Sequence, residues 1–335
     1  MTVKIGIIGL GQIGASIGLA LASRKDQVTT IGYDKSADVT RKAHKLEVVE
    51  NFAHNLYACV KEADLVILAL PIDQVYETLE SIAQKIHEGA VVIDTAPAKQ
   101  VVADWAKGLL PSNLHYVGLT PALNPACLED ATLGLNAARA DLFHKGAMAI
   151  SAAHGTAEGA LKLATDFVTL LGALPFFADP EEVDGVMAAT HILPGLSAAA
   201  LVEAITSQPG WSDIRKLAGK PYSSATRPLE GEEPAALAGA ILQNQSNTLR
   251  VLDAYIAALT SLRNEIASKN KNVLETRLEQ ARRGRAQWQL DRAKGDWLAV
   301  ELGAQEMPKV GDILKQQFGG LDKLIGRRIK KSDEE

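Results

Sequence analysis

Short apolar runs alternate with amphipathic stretches along the first half of the chain. Runs rich in Val, Ile and Leu predict strands at 3–10, 28–34, 63–70, 89–96, 115–122, 147–152 and 173–179. Apolar residues spaced by three and four predict helices between them, over about 13–24, 38–46, 73–86 and 157–171. This alternation is typical of an α/β Rossmann fold, which is a doubly wound, mainly parallel sheet with crossover helices.

The pattern changes after residue 178, where strand signals give way to long helical ones. The chain is therefore divided into an α/β domain, 1–178, and an all-α domain, 179–335, that ends in a helical tail. Pro180, with two glutamates behind it, is typical of a helix start that places acidic residues at the positive end of the helix dipole. Pro194 is expected to kink or restart a helix.

Two further stretches of the second half are assigned from their composition. The segment 218–234 is dense in Gly, Pro and Ser and is expected to be a loop. From 235 to about 290 the spacing of apolar residues predicts one or more long helices.

Charge and composition exclude several classes of protein. The 335 residues carry 35 Lys and Arg against 40 Asp and Glu, whereas nucleic-acid-binding proteins usually have a basic surplus, so no such partner is expected. An apolar fraction of 47% excludes wholesale disorder. Two cysteines cannot build a disulfide framework, and the histidines lack metal-ligand spacing. We therefore expect no metal and a cytoplasmic location, where thiols stay reduced.

Neither a membrane span nor a signal peptide is expected. The longest uniformly apolar run, Leu65–Ile72, is far shorter than the ~20 residues that cross a bilayer. Near the N-terminus, Gly9 follows Lys4 after only four residues, so no apolar core of a signal peptide develops.

The first strand runs into the motif Gly9-Leu10-Gly11-Gln12-Ile13-Gly14, and Asp34 ends the next strand 20 residues past Gly14. In a strand–turn–helix setting, these glycines allow a tight turn, a close approach of backbone amides to a diphosphate, and helix–strand packing. Asp34 can accept hydrogen bonds from the adenosine ribose and would repel a 2′-phosphate, which favours NAD over NADP, although Lys35 weakens that inference. A glycine-rich turn without a ligand is the alternative, which the complete order of elements disfavours.

Ligands of parallel sheets lie beyond the carboxyl ends of the strands. Leu70 and Pro71 close the third predicted strand and are expected on the ribose and nicotinamide side of the cofactor. Thr95 closes the next strand, in the segment that leads to Lys99, and is also predicted to contact the cofactor. Thr120 closes the one after.

The chain resembles the prephenate and arogenate dehydrogenase family of tyrosine biosynthesis over residues 3 to 290. The resemblance is carried by IGIIGLGQIGASIGLAL, IGYDKS, ADLVILALPI, VVIDTAPAK, ADLFHKGAMAI, LLGALPFFADPEEVDGVMAATHILP and SSATR, and by Gln243-Asn244 in a long final helix. It implies a Rossmann domain, a helical domain that forms a homodimer, and NAD(P)-dependent oxidative decarboxylation of a cyclohexadienyl acid.

Several departures from the family pattern fall on the chemistry. Pro97 stands where the family has a serine, and Thr120 where it has the histidine that accepts the proton of the ring hydroxyl. Val183 replaces a histidine before an aspartate, and His191 is displaced by one position within the S-H-L-P-H segment. Arg227 keeps the place of the arginine that binds the substrate carboxylate.

His191, Lys99 and Thr120 are the predicted catalytic residues. A lone histidine in an apolar helix is more often a core or interface residue than a general acid/base. Lys99 fits either a solvated helix start or a functional role, as an anion-binding cation or a base with a lowered pKa. The predicted substrate-binding residues are Arg227, Thr120 and Asn124. Arg227 has the strongest case, since a planar guanidinium matches a carboxylate with two hydrogen bonds.

Two other functions stay open on the sequence alone. One is an NAD(P)-dependent dehydrogenase of another small acid, such as a β-hydroxy acid, which Pro97 and Thr120 favour. The other is a protein that binds a dinucleotide without catalysis.

Overall fold

The computed structural model describes residues 2–231 and 233–295. It divides into two compact units, Met1–Ala281 and Arg282–Glu335. The strands are β1 Val3–Ile8, β2 Val28–Tyr33, β3 Asn51–Phe52, β4 Leu65–Leu68, β5 Val91–Asp94, β6 His115–Pro121, β7 Ala147–Ser151 and β8 Leu174–Phe177. The helices of the first half are α1 Gln12–Leu21, α2 Ala37–Lys45, α3 Leu56–Val60, α4 Ile72–Ile82, α5 Gln100–Leu109 and α6 Glu158–Leu170.

All eight strands form one sheet in the order β3-β2-β1-β4-β5-β6-β7-β8. Every neighbouring pair is parallel except β6 and β7. Strand order reverses between β1 and β4, and a crevice for ligands opens at such a point in doubly wound sheets. The predicted α/β Rossmann class is confirmed.

The central strands are covered on both faces, which explains their unbroken apolar runs. In β4, Leu65 and Ile67 pack into one core, with Phe143 and Phe167, while Val66 and Leu68 pack into the other. All these side chains are buried. Alternate residues of the strand therefore stabilise opposite layers of helices.

The first half contains elements that the apolar pattern did not predict. These elements are β3, α3 and α5. The edge strand β3 has two residues, too few for a periodic signal. The helix α4 begins at Ile72 after Pro71, and Asp73 lies in its first turn. An acidic residue there still stabilises the helix through its dipole.

The second half is helical. Its helices are α7 Pro180–Met187, α8 Leu193–Thr206, α9 Trp211–Ile214, α10 Lys220–Thr226, α11 Pro234–Gln243, α12 Gln245–Ala267 and α13 Lys271–Lys294. The helix start at Pro180 and the long helices after residue 235 are confirmed. The predicted tail beyond residue 295 lies outside the described residues.

A π-helical turn, Ala188–Ile192, joins α7 to α8. Leu193 closes it by donating its N–H to the carbonyl oxygen of Ala188, five residues back. Pro194 has no N–H to donate to the carbonyl four residues back, as an α-helix requires. The wider π-helical turn lets the helical chain continue past Pro194. Pro194 thus restarts the helix as predicted.

The expectation of a loop over 218–234 was wrong for its first part, because 220–226 form α10. Pro221 stands in the first turn of the helix, where a missing N–H costs nothing. Thr226 bonds through its hydroxyl to the carbonyl oxygen of Tyr222, at 2.9 Å. The residues that suggested a loop are therefore residues of a helix start and end.

One stretch of the described chain, Pro180–Thr206, is long and apolar enough to cross a membrane, judged by length and composition only. Polar residues such as Thr190 and His191 interrupt it, so it contains no long unbroken apolar run. In its most apolar window 22% of the residues are buried, which leaves an apolar helical surface exposed on the single chain.

Candidate active site

The glycine turn after β1 is shaped by close approaches of the backbone. Gly9 has a φ of +91°, and a Cβ there would lie 2.4 Å from the carbonyl oxygen of Ala69. A Cβ on Gly14 would lie 1.9 Å from the carbonyl oxygen of Gly9. Among the described residues, a Cβ on Gly11 would meet no atom within 4 Å. The turn is tight at both ends and open at its centre, as a diphosphate-binding loop requires.

The helix α1 starts in this open space. Gly11 is its N-cap, and no described side chain caps it. The first N–H groups of a helix, here including those of Gln12 and Ile13, have no partner within the helix and carry its positive end. They are available to an anion, so the residues present fit the diphosphate of NAD.

Asp34 lies directly after β2 at the rim of the glycine turn. Its Oδ2 accepts the N–H of Leu10 at 2.9 Å, and its Oδ1 accepts the N–H of Ser36 at 2.8 Å. These bonds fix the carboxylate beside the turn. Each oxygen keeps a further lone pair, which can accept a ribose hydroxyl.

The ends of β1, β4 and β5 are aligned at one edge of the sheet. Ala69 donates its N–H to Ile8 at 2.8 Å, and Thr95 donates to Leu68 at 3.1 Å. Leu70 and Thr95 are half-buried there, and Pro71 is exposed. The predicted cofactor residues therefore share the edge that carries the glycine turn.

A cluster of three polar side chains, two of them buried and Tyr116 half-buried, lies at the same edge. Lys99 is 1% exposed, and its Nζ donates to Asp94 Oδ1 at 2.7 Å. Tyr116 donates its hydroxyl to Asp94 Oδ2 at 2.5 Å, and the N–H of Ala96 donates to Oδ1 at 2.8 Å. A Cβ on Gly118 would lie 2.7 Å from Lys99 Cδ, so glycine makes room for the lysine on β6.

Burial shifts the pKa values of this cluster. It lowers the pKa of the Lys99 ammonium, and the paired Asp94 carboxylate opposes that shift. Burial and then the Asp94 charge raise the pKa of Tyr116 well above its ordinary value. Tyr116 therefore stays a neutral donor at physiological pH, and Lys99 is easier to deprotonate than a surface lysine.

Asp184, from α7, joins the helical half to this cluster. Its carboxylate accepts the N–H of Lys99 at 2.5 Å and that of Gln100 at 3.1 Å. Burial raises the pKa of Asp184, and these two N–H groups oppose the shift. Asn244, between α11 and α12, donates its side-chain amide to the peptide oxygen of Asp184 at 2.7 Å.

Thr120, near the end of β6, and Asn124, three residues after the strand, differ in the hydrogen bonds that their side chains make. The Thr120 hydroxyl is buried, with no hydrogen-bond partner in the described part of the chain. Because side chains alternate along a strand, Thr120 shares the face of Tyr116 and Gly118. The Asn124 side chain donates to Asp141 at 3.0 Å and accepts from the N–H of Ala126 at 3.0 Å, which gives it a role in shaping the loop.

His191 and Arg227 belong to the helical half. His191 is exposed on the π-helical turn, a feature that is frequent at functional sites. Arg227 is half-buried at the start of a 3-10 turn that packs against α8. Its charge adds to the lowering of the pKa of Asp130, whose main cause is the hydrogen bond from Thr132. Lys99 and Thr120 thus lie at the sheet edge, whereas His191 and Arg227 lie in the helical half.

Four polar groups of the site carry no assignment from the sequence: Asp94, Tyr116, Asp184 and Asn244. The spacing of Asp94 and Lys99, with four residues between them, is a signal that could have paired them. For the other three no local signal records the pairing, because their partners come from distant parts of the chain.

A Rossmann sheet with an open glycine turn, an acid after β2 and a buried lysine at the strand ends defines an NAD-dependent oxidoreductase. The family model described as "Prephenate dehydrogenase, nucleotide-binding domain" matches residues 17–175, and "Prephenate dehydrogenase, dimerization domain" matches 179–280. The chain belongs to the prephenate dehydrogenase family. The first match begins at residue 17, inside α1, so it does not include the glycine turn. The turn is identified by its own close backbone approaches.

The chain aligns with curated relatives over most of their length. A cyclohexadienyl dehydrogenase of Zymomonas mobilis is 28% identical over 84% of this chain and 94% of its own. A prephenate dehydrogenase of Bacillus subtilis is 28% identical over 79% of this chain and 70% of its own.

Solved structures share the fold. Prephenate dehydrogenase from A. aeolicus, in complex with hydroxyphenyl propionate and NAD+, has a TM-score of 0.74 at 20% identity, over 86% of this chain and 98% of that one. Synechocystis arogenate dehydrogenase has a TM-score of 0.67 at 24% identity, over 85% and 99%. The family and fold class predicted from the sequence are confirmed, a nucleotide-binding domain is matched, and the two alternative functions are not favoured.

The glycine turn gives a prediction for NAD binding. Gly11→Ala should keep the thermal unfolding midpoint but weaken NAD binding by about tenfold or more, because the methyl group enters the space through which the diphosphate reaches the amides. Gly14→Ala should lower both, because its Cβ meets the Gly9 carbonyl. Calorimetric titration and thermal unfolding measure the two effects.

Gly108→Ala, in α5, is the matched control, since a Cβ there meets no described atom within 4 Å. It should leave NAD affinity unchanged. If Gly11→Ala bound NAD as tightly as the wild type, the diphosphate would not lie over this turn.

Proposed function

We propose that this chain oxidises prephenate or arogenate with NAD, with loss of carbon dioxide and formation of an aromatic product. The observation that carries the proposal is the joint placement of the open glycine turn and the buried Lys99 at one sheet edge, in a chain that matches both domains of the family. In this reaction the ring carbon that bears the hydroxyl loses a hydride, the hydroxyl loses a proton, and the carboxylate leaves as carbon dioxide.

The cofactor site is proposed from the residues around the turn. The backbone of Gly9, Gly11, Gln12, Ile13 and Gly14 holds the diphosphate, and Asp34 accepts the ribose hydroxyls. Leu70, Pro71 and Thr95 contact the ribose and nicotinamide side. When bound, NAD supplies the hydride acceptor.

Lys99, Thr120 and His191 are proposed to handle the proton of the ring hydroxyl. The Thr120 hydroxyl is buried and without a described partner, so it can bond to that hydroxyl as the substrate binds. Lys99, with its lowered pKa, lies on the same strand face and can take up the proton or stabilise the negative charge that develops. His191, exposed on the π-helical turn, provides an imidazole, which is the side chain most often used as a general acid or base.

Arg227 is proposed to bind a substrate carboxylate. Its guanidinium can form two parallel hydrogen bonds with a carboxylate, which a lysine cannot. Asn124 is proposed to support the substrate site through the loop whose shape it fixes.

A substrate panel tests the proposed function. Prephenate, arogenate and several β-hydroxy acids are each incubated with NAD, and NADH is followed by absorbance. Turnover of prephenate or arogenate alone is expected. Turnover of a β-hydroxy acid in their place, or tight NADH binding without turnover of any compound, would contradict the proposal.

Two substitutions separate substrate binding from proton transfer. Arg227→Lys should raise KM by about tenfold or more with kcat little changed, because the second hydrogen bond to the carboxylate is lost. His191→Ala should abolish turnover and leave NAD affinity intact. Steady-state kinetics and calorimetric titration measure both.

His154→Ala is the control for the histidine. β7 runs antiparallel to β6, so His154, three residues past Ser151, lies beyond the sheet edge opposite the one that carries Thr120. It should leave kcat unchanged. A wild-type KM in Arg227→Lys, or full turnover in His191→Ala, would assign the residue to structure alone.

The helical half is proposed to form a homodimer. The matched dimerization domain covers 179–280, and this region exposes large apolar side chains, including Leu249 at 52% and Ile256 at 52% on α12. Exposed apolar surface of this extent on helices is typical of an interface.

Both cysteines are free and buried, which supports the predicted cytoplasmic location.

Sedimentation tests the dimer. The wild type should sediment at twice the mass of the chain, and the double variant Leu249→Asp, Ile256→Asp should sediment as a monomer, because two carboxylates would have to be buried without partners. Leu46→Asp, at 50% exposure on the α/β half, is the control and should stay dimeric. A monomeric wild type would contradict the proposal.

A further inference from the structure

The helix α5 is capped by a side chain from another part of the chain. Its N-cap residue is Lys99, which provides no cap of its own, although this position usually holds Ser, Thr, Asp or Asn. Asp184, 85 residues away in sequence, supplies the missing acceptor. Its two carboxylate oxygens accept the N–H groups of Lys99 and Gln100 at 2.5 and 3.1 Å.

Asp184 is itself held in place. It is 5% exposed, and its peptide oxygen accepts both the side-chain amide of Asn244 and the N–H of Ala188. Asn244 in turn accepts a bond from the side-chain amide of Asn247 at 3.0 Å. The backbone of Asp184, from which the carboxylate projects, is therefore fixed by three segments of the helical half: α7, the junction of α11 and α12, and the first turn of α12.

Lys99 is fixed at both ends as a result. Its backbone N–H is held by Asp184, and its Nζ is held by Asp94 at 2.7 Å. Between these points the side chain passes over Gly118. A shift of the Asp184 carboxylate would move the start of α5 and, with it, the lysine.

We propose that Asp184 is a positioning residue for the reaction, which caps α5 from the helical half and so holds Lys99 in its working place against Asp94. The inference rests on the proposed function, because that function assigns Lys99 to the chemistry. It makes the placement of the lysine dependent on the contact between the two halves of the chain.

The charge of Asp184 also acts on Lys99. The charged and titratable groups around the ammonium are Asp94 from β5, Tyr116 from β6 and Asp184 from α7. The Asp184 charge favours the ammonium, so its loss lowers the pKa of Lys99 further. The limb of the pH profile of kcat that reports Lys99 should then move to lower pH.

Asp184→Asn tests the proposal. The amide keeps the size of the side chain but offers one acceptor oxygen, and its NH2 faces a backbone donor. We expect kcat to fall about ten- to a hundredfold through displacement of the lysine, its pH profile to move to lower pH, and NAD affinity to stay within twofold. Amide hydrogen exchange in the peptide that begins at Lys99 should become faster.

Two further variants accompany it. Asp179→Asn makes the same change on an exposed side chain just before α7 and should behave as the wild type. Asp184→Glu restores the carboxylate and should recover most of kcat and the wild-type pH profile, which also shows that a charged side chain is needed there.

The outcomes are distinguishable. If Asp184→Asn kept kcat within twofold, or lost kcat with an unchanged pH profile, the positioning role would be refuted and a structural cap would remain. Unchanged hydrogen exchange would refute the cap itself. If the wild type oxidised none of the panel, the proposed function and the catalytic part of this inference would fall together, while the exchange measurement would still decide the cap.

Discussion

The buried ion pair of Lys99 and Asp94 is the constraint on which the site depends. An ammonium at 1% exposure would cost several kcal/mol without a partner. Asp94 provides that partner, and its carboxylate also accepts the Tyr116 hydroxyl and the N–H of Ala96. The surrounding sequence follows from this: glycine at 118 leaves space for the lysine, and the strand ends place the pair beside the glycine turn.

The proposed site draws on both halves of the chain. In that proposal the α/β half contributes the glycine turn, Asp34 and the lysine cluster, and the helical half contributes Asp184, His191 and Arg227. Hydrogen bonds to buried acceptors are directional, so the contact through Asp184 and Asn244 fixes a relative placement that apolar packing alone would leave looser. The π-helical turn next to this contact also presents His191 without interrupting the helix.

Much of the fold could be predicted from the sequence because the patterns that encode it are local. All seven predicted strands occur, since β-branched and apolar runs bounded by turns specify strands over a few residues. The glycine motif and Asp34 could be identified because their spacing alone requires a turn, a helix and a second strand. The failure at 220–226 is also local: Pro and Ser suit both loops and helix starts, and the packing of α10 on α8 decided between them.

What the sequence determined by itself was the alternation of strands and helices, the glycine turn with its acid, and the family. What only the tertiary structure decided was which polar groups meet: Tyr116 with Asp94 across 22 residues, and Asp184 with Lys99 across 85. Backbone preferences act over a few residues and can be recognised in any short segment. The partner of a buried polar group depends on how distant segments pack, and no local pattern records that.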